Sequence, residues 1–189
     1  HDAFVENLAA AATAMKVGHA LDPATQMGPV VSEGQLEQNL GNVARAREEG
    51  GEVVCGGERV ERETDGCFMT PAVIAGTRND WKTNREELFA PVACVIKVAS
   101  YDEALAVVND TNFGLTSGIV TRSLARATHF RRNARTGCVM VNLPTAGTDY
   151  HVPFGGRGDS SYGPREQGRY AVEFYTTVKT AYVKAGDPA

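Results

Sequence analysis

The chain has 189 residues, 42% of them hydrophobic and 22% charged, with a formal net charge of −4. That is the composition of a soluble globular chain with enough apolar residues for a sizeable core, either one large domain or a piece of a bigger protein. The acidic balance, with a pI of about 5.6, excludes a basic footprint for nucleic acid or an anionic membrane, and no apolar run is long enough to span a bilayer. Cys55, Cys67, Cys94 and Cys138 form no Cys-x-x-Cys pair and have no histidine at ligand spacing. They are therefore expected to be reduced, mostly buried thiols of a cytoplasmic protein, not zinc ligands or disulfides. The opening His1-Asp2, without an initiator Met or a signal-peptide pattern, leads us to expect a fragment or a processed piece.

In chain order, Asp2 is placed to cap a helix whose face is Phe4, Val5, Leu8 and Ala12, broken at Gly18 and Asp22-Pro23. Ser32, with Gln35 three residues on, has capping-box spacing for a helix through Leu36, Leu40, Val43 and Ala44 that closes at Gly50-Gly51. Val53-Val54-Cys55 reads as a short buried strand, the charged segment 58–66 as an exposed turn, and 68–74 as strand-like around Pro71. Pro91 suits the entrance to a strand over Val92–Val98. The segment Glu86-Glu87-Leu88-Phe89 before it is then a loop, pairing carboxylates with an aromatic ring, a suitable combination for a sugar hydroxyl and a flat heterocycle. Tyr101-Asp102-Glu103 starts a helix that stops near Asn109–Gly114, and Leu115–Thr121 is a strand. Ser123 caps a further helix with a basic face of Arg126, Arg131, Arg132 and Arg135, best read as solvated. Cys138–Asn142 is a continuous apolar strand of the kind buried on both faces. Alternation of strand and helix at these intervals predicts a three-layer α/β/α fold with a mainly parallel sheet.

Beyond Asn142 the pattern changes to a polar loop, 143–152, and the paired glycines of Pro153-Phe154-Gly155-Gly156-Arg157, which lack the Gly-x-Gly-x-x-Gly phosphate-binding pattern. A short helix is expected from Gly163 through Phe174. The terminal Tyr175–Val183 is β-prone, and a strand at a chain end must pair, be covered or recruit another chain. We place a role between subunits slightly ahead of an edge strand within its own sheet. This sets the expected boundaries at 1–174 for a catalytic-type domain and 175–189 for an oligomerisation strand and tail.

Six segments in order form a recognisable set: Glu-Glu-Leu-Phe-Ala-Pro-Val (86–92), Asn-Asp-Thr-Asn-Phe-Gly-Leu (109–115), Val-Met-Val-Asn (139–142), Pro-Phe-Gly-Gly (153–156), Arg-Glu-Gln-Gly (165–168) and Tyr-Thr-Thr-Val-Lys-Thr (175–180). Together they resemble the carboxy-terminal, catalytic-domain part of an aldehyde dehydrogenase, over about Asp2 to Lys179. The resemblance implies NAD or NADP as cofactor, with Glu87 holding the nicotinamide ribose hydroxyls and Phe89 beside the ring. It implies that Phe154 lines a substrate tunnel entered past loop 143–152, and that the strand around Lys179 assembles a homo-oligomer, a dimer or tetramer. The family oxidises an aldehyde to an acid through a cysteine thioester, which needs a thiolate, a base, an oxyanion hole and a hydride acceptor.

The nucleophile of that family lies in a Gly-Gln-x-Cys segment, and none is present here. No residue of this chain is therefore assigned as catalytic, and a fragment inert on its own is expected. The run 142–154, which contains Tyr150 and His151, resembles the branch that oxidises 2-oxoglutarate semialdehyde, with Tyr150, His151 and Arg157 as candidate substrate contacts. Two other readings stay open: a non-catalytic assembly or regulatory module, and a nicotinamide-binding protein without chemistry.

Overall fold

A computed structural model describes residues 1–186, and the chain divides into two compact units, His1–Glu103 and Ala104 onward. The first holds helices α1 (Asp2–Thr13), α2 (Glu33–Glu48) and α3 (Lys82–Arg85), and strands β1 (Glu52–Cys55), β2 (Ala72–Ala75) and β3 (Val92–Cys94). Helix α4 (Tyr101–Asn109) crosses into the second unit. That unit continues with β4 (Thr116–Ile119), α5 (Leu124–Asn133), β5 (Cys138–Val141), a 3-10 turn at Gly168–Tyr170 and α6 (Ala171–Tyr175).

The predicted α/β class is what the structure shows. β2 pairs parallel with β3, and β4 pairs parallel with β5, while β1 runs antiparallel to β2. The core of the first unit forms because β2 is enclosed. All four of its residues are buried, and α1, β1 and β3 pack on it. Leu36 and Ile74 are 0% exposed, and Val43, Phe68, Met69 and Val73 are 1% exposed. Each large apolar side chain buried this completely contributes about 1.5–3 kcal/mol.

Ser32 caps α2 as its spacing predicts, accepting a hydrogen bond from the Gln35 N–H at 3.2 Å. The capping box is not completed, because the Gln35 amide donates to Asn39 Oδ1 at 2.8 Å instead of reaching back. Ser123 likewise caps α5 by accepting from the Arg126 N–H. At α1 the cap position falls on His1, with Asp2 already inside the helix. Val5 is buried there, but Phe4 is 61% exposed.

Several expectations are corrected. β5 is half-buried throughout, not covered on both faces, and the strand fully enclosed is β2. A continuous apolar run marks strand propensity, whereas burial depends on what packs against each face. β1 is partly exposed, and β3 ends at Cys94 instead of Val98. None of the four cysteines is fully buried; all are half-buried and free. Residues 163–167 are not helical, and Tyr175 ends α6 instead of opening a strand. Residues 176–186 pair with no strand, since β propensity without a partner's N–H and C=O groups makes no ladder. The last three residues of the expected tail lie outside the described residues. Among the described residues, no helix is long and apolar enough to cross a membrane, and no group of three or more potential ligands is placed to hold a metal ion.

Candidate functional site

The Glu86–Pro91 loop is fixed at both ends. Pro91 O accepts the Ala72 N–H at 2.9 Å, and Val92 then pairs with Ala72, so the loop leaves the edge of β2 as its proline predicts. At the other end Glu86 N donates to Lys82 O at 3.0 Å, closing the single turn of α3.

The two adjacent carboxylates differ. Glu86 is tied down, with Oε2 3.0 Å from Arg45 Nη2 and Oε1 3.4 Å from Lys82 Nζ. Glu87 is exposed and carries no hydrogen bond or ion pair among the described residues. Phe89 has φ 49°, a left-handed conformation that non-glycine residues seldom adopt, and its side chain is 79% exposed. A ring held out this way costs hydrophobic burial and backbone strain, a combination that concentrates at binding sites.

Phe89 forms one wall of a cleft of about 360 Å³, with Pro91 beside it and the loop Met27–Val31 among the other walls. Gln35 and Asn39, one turn apart on α2, line it as well. Asn39 is 0% exposed, accepts from Gln35 and donates to Met69 Sδ at 3.7 Å. The apolar walls with amide groups at one side match the usual make-up of a small-molecule cleft. Nothing in the sequence pointed to Gln35, Asn39 or residues 27–31 here, because Gln35 reads as a capping residue and the cleft joins segments 50 or more positions apart. A polar residue at each of two positions one helical turn apart was the available signal.

In the second unit, Phe154 exchanges two backbone hydrogen bonds of 2.8 Å with Glu166. Tyr150 O accepts the Gly168 N–H at 3.2 Å, and the Tyr150 and His151 rings meet edge to face at 5.4 Å. Tyr150, His151 and Phe154 are thus held by one segment, residues 166–168. Arg157 is anchored elsewhere, its N–H donating to Gly114 O at 3.0 Å. Gly156 O accepts from Arg165 Nη1 at 2.6 Å, which pins the paired-glycine turn. Tyr150, His151 and Arg157 are exposed, and Phe154 is half-buried.

The Cys94 thiol is raised above the ordinary thiol range by burial, reinforced by the nearby Glu49 carboxylate. A raised thiol is a poor nucleophile at neutral pH.

Comparison with known proteins places these features in a family. A model described as "Aldehyde dehydrogenase family" matches residues 1–181. The chain is 42% identical over 185 residues to betaine aldehyde dehydrogenase of Cereibacter sphaeroides, covering 98% of this chain and 38% of that protein. It is 40% identical over 185 residues to alpha-ketoglutarate semialdehyde dehydrogenase of Haloferax volcanii, covering 96% and 38%. The crystal structure of Mycobacterium tuberculosis aldehyde dehydrogenase complexed with NAD+ superimposes with a TM-score of 0.89 at 34% identity, covering 100% of this chain and 38% of that one. The chain thus spans well under half the length of the relatives it matches.

Proposed function

We infer the function from one premise: this chain belongs to the aldehyde dehydrogenase family. We propose that it is the C-terminal part of a cytoplasmic NAD-dependent enzyme that oxidises an aldehyde to a carboxylic acid through a cysteine thioester. The observation that carries the reading is the Glu87–Phe89 loop. An outward-held aromatic ring walls a cleft with apolar sides, and an exposed carboxylate without a partner among the described residues lies two positions before it in the same loop. Those groups fit the nicotinamide end of NAD. Glu87 would accept hydrogen bonds from ribose hydroxyls, and Phe89 would cover one face of the ring. When bound, the cofactor supplies the hydride acceptor. This chain's contribution is to bind, orient and shield.

On the substrate side, Phe154 is proposed to wall the aldehyde tunnel, with Tyr150, His151 and Arg157 as contacts for a polar substrate. The substrate proposed is 2-oxoglutarate semialdehyde, supported by resemblance in the 142–154 loop and by the Haloferax relative. Arg157 would meet its carboxylate, as a guanidinium does best. None of the four cysteines lies in the Gly-Gln-x-Cys setting of the family nucleophile, so the 189 residues alone are proposed to be inactive. Homo-oligomerisation through residues 175–183 is proposed on their exposure: Val178 is 97%, Tyr182 95% and Val183 92% exposed.

The test is spectrophotometric. The complete reading frame containing this segment is expressed, and nucleotide reduction is followed with 2-oxoglutarate semialdehyde and with betaine aldehyde, using NAD and then NADP. Turnover with NAD by the complete protein and none by the 189-residue chain is expected. Turnover by the short chain, or none by either, overturns the proposal.

A further inference from the structure

Helix α2 and its C-cap residue Glu49 grip α3 at both ends. The Glu49 carboxylate accepts the Lys82 N–H at 3.0 Å and the Thr83 N–H at 3.3 Å, supplying a cap that Trp81 does not. One turn earlier on α2, Arg45 Nη2 lies 3.0 Å from Oε2 of Glu86, the residue directly after α3. Residues four apart share a helix face, so the two arms of opposite charge reach α3 together. The anion meets free N–H groups at the helix start, and the cation meets a carboxylate just past its end. The Arg45 contact is ionic: Nη2 and Nε are shielded from solvent and make no hydrogen bond.

The chain emerges from this grip directly into Glu87, and Phe89 follows in its left-handed conformation. A loop residue keeps such a conformation only when its surroundings over-determine it. We propose that Arg45 is a positioning residue for the nicotinamide end of the cofactor. Through Glu86 it fixes the direction in which the chain leaves α3, and so aims Glu87 and Phe89. Arg45 is not among the residues that line the Phe89 cleft. The Glu86 side chain is 46% exposed and its carboxylate is also met by Lys82, so the pair adds little to stability and its effect falls on orientation. The inference rests on the NAD reading of Glu87 and Phe89.

The experiment uses the complete dehydrogenase with Arg45→Met, Glu86→Gln, Arg45→Lys and, as reference, Glu87→Gln. Arg45→Met and Glu86→Gln are expected to slow hydride transfer on the order of tenfold, the scale of a small misplacement of a reacting group. Both should leave affinity for ADP, which lacks the nicotinamide and the ribose that carries it, unchanged, and Glu86→Gln should leave the melting temperature unchanged. Arg45→Lys, which keeps the charge, should keep most of the rate. An equal loss of ADP affinity marks a general structural role and overturns the inference, as does a normal hydride-transfer rate or a failure of Arg45→Lys to improve on Arg45→Met. If Glu87→Gln is impaired while Arg45→Met and Glu86→Gln are normal, the positioning inference alone falls. If Glu87→Gln is normal, the cofactor reading falls and takes the inference with it. Should Arg45→Met not fold, Glu86→Gln, at a half-exposed position, decides by the same criterion.

Discussion

Phe154 and Glu166 are paired like strand neighbours, each donating its N–H to the other's carbonyl at 2.8 Å. This two-bond ladder holds the proposed tunnel aromatic against the segment that leads into α6. The close approach continues at Gly168, where φ is 53° and an added Cβ would lie 2.5 Å from His151 O. Gly168→Ala should therefore push the Tyr150–Phe154 loop outward. We expect a loss of about 1–3 kcal/mol, read as a lower melting temperature, with faster amide exchange at residues 150–154. An unchanged melting temperature counts against the tethering.

Ser32 is the capping residue that was plain in the sequence, and its hydroxyl accepts from Gln35 N in the structure. Ser32→Ala should cost about 1 kcal/mol of stability by leaving a first-turn N–H without its acceptor. Ser32→Asp should recover it, because a carboxylate caps equally well and favours the helix N-terminus. Chemical denaturation of the three proteins measures this.

Phe154 and Phe89 are assigned to different ligands, and kinetics can separate them. In the complete enzyme, Phe154→Ala should raise KM for the aldehyde and leave KM for NAD unchanged. Phe89→Ala should do the reverse. Parallel shifts of both constants in both variants would count against the assignment.

The Cys94 thiol is raised by its burial first and by the Glu49 charge second. A higher pKa leaves less thiolate at a given pH, and the thiolate is the reactive form. Mass-spectrometric alkylation at mildly alkaline pH should find Cys94 the slowest of the four cysteines. Glu49→Gln should speed it. For linkage the sign is that of a raised group: the folded state holds the proton more tightly. The contribution to stability is therefore present below the unfolded thiol's pKa and is lost as pH rises through the folded value. If Cys94 is alkylated fastest, its environment is not the one described.

Much of the local structure was legible in the sequence because its causes are local. Ser32 and Ser123 cap the helices that follow them, Pro91 stands at a strand entrance, and the glycines after α2 end it, all through chemistry within a few residues. The misjudged elements depend on partners. Tyr175–Val183 has strand composition, yet residues 176–186 have no ladder to join. The apolar run of β5 reads as buried on both faces but is half-exposed, whereas β2, less conspicuous in sequence, is the strand that α1, β1 and β3 enclose.

The sequence by itself determined the family, through six motifs in order, and singled out Glu87 and Phe89 as the residues to watch. Only the tertiary structure decided which of two adjacent glutamates is free. Glu86 is held by Arg45, 41 positions earlier in the chain, and Glu87 is exposed with no partner among the described residues. It alone also placed Gln35, Asn39 and residues 27–31 around the Phe89 cleft. The physical reason is the same in each case. Capping, turn geometry and residue chemistry act over short stretches of chain, whereas charge pairing and cleft walls join segments that only packing brings together.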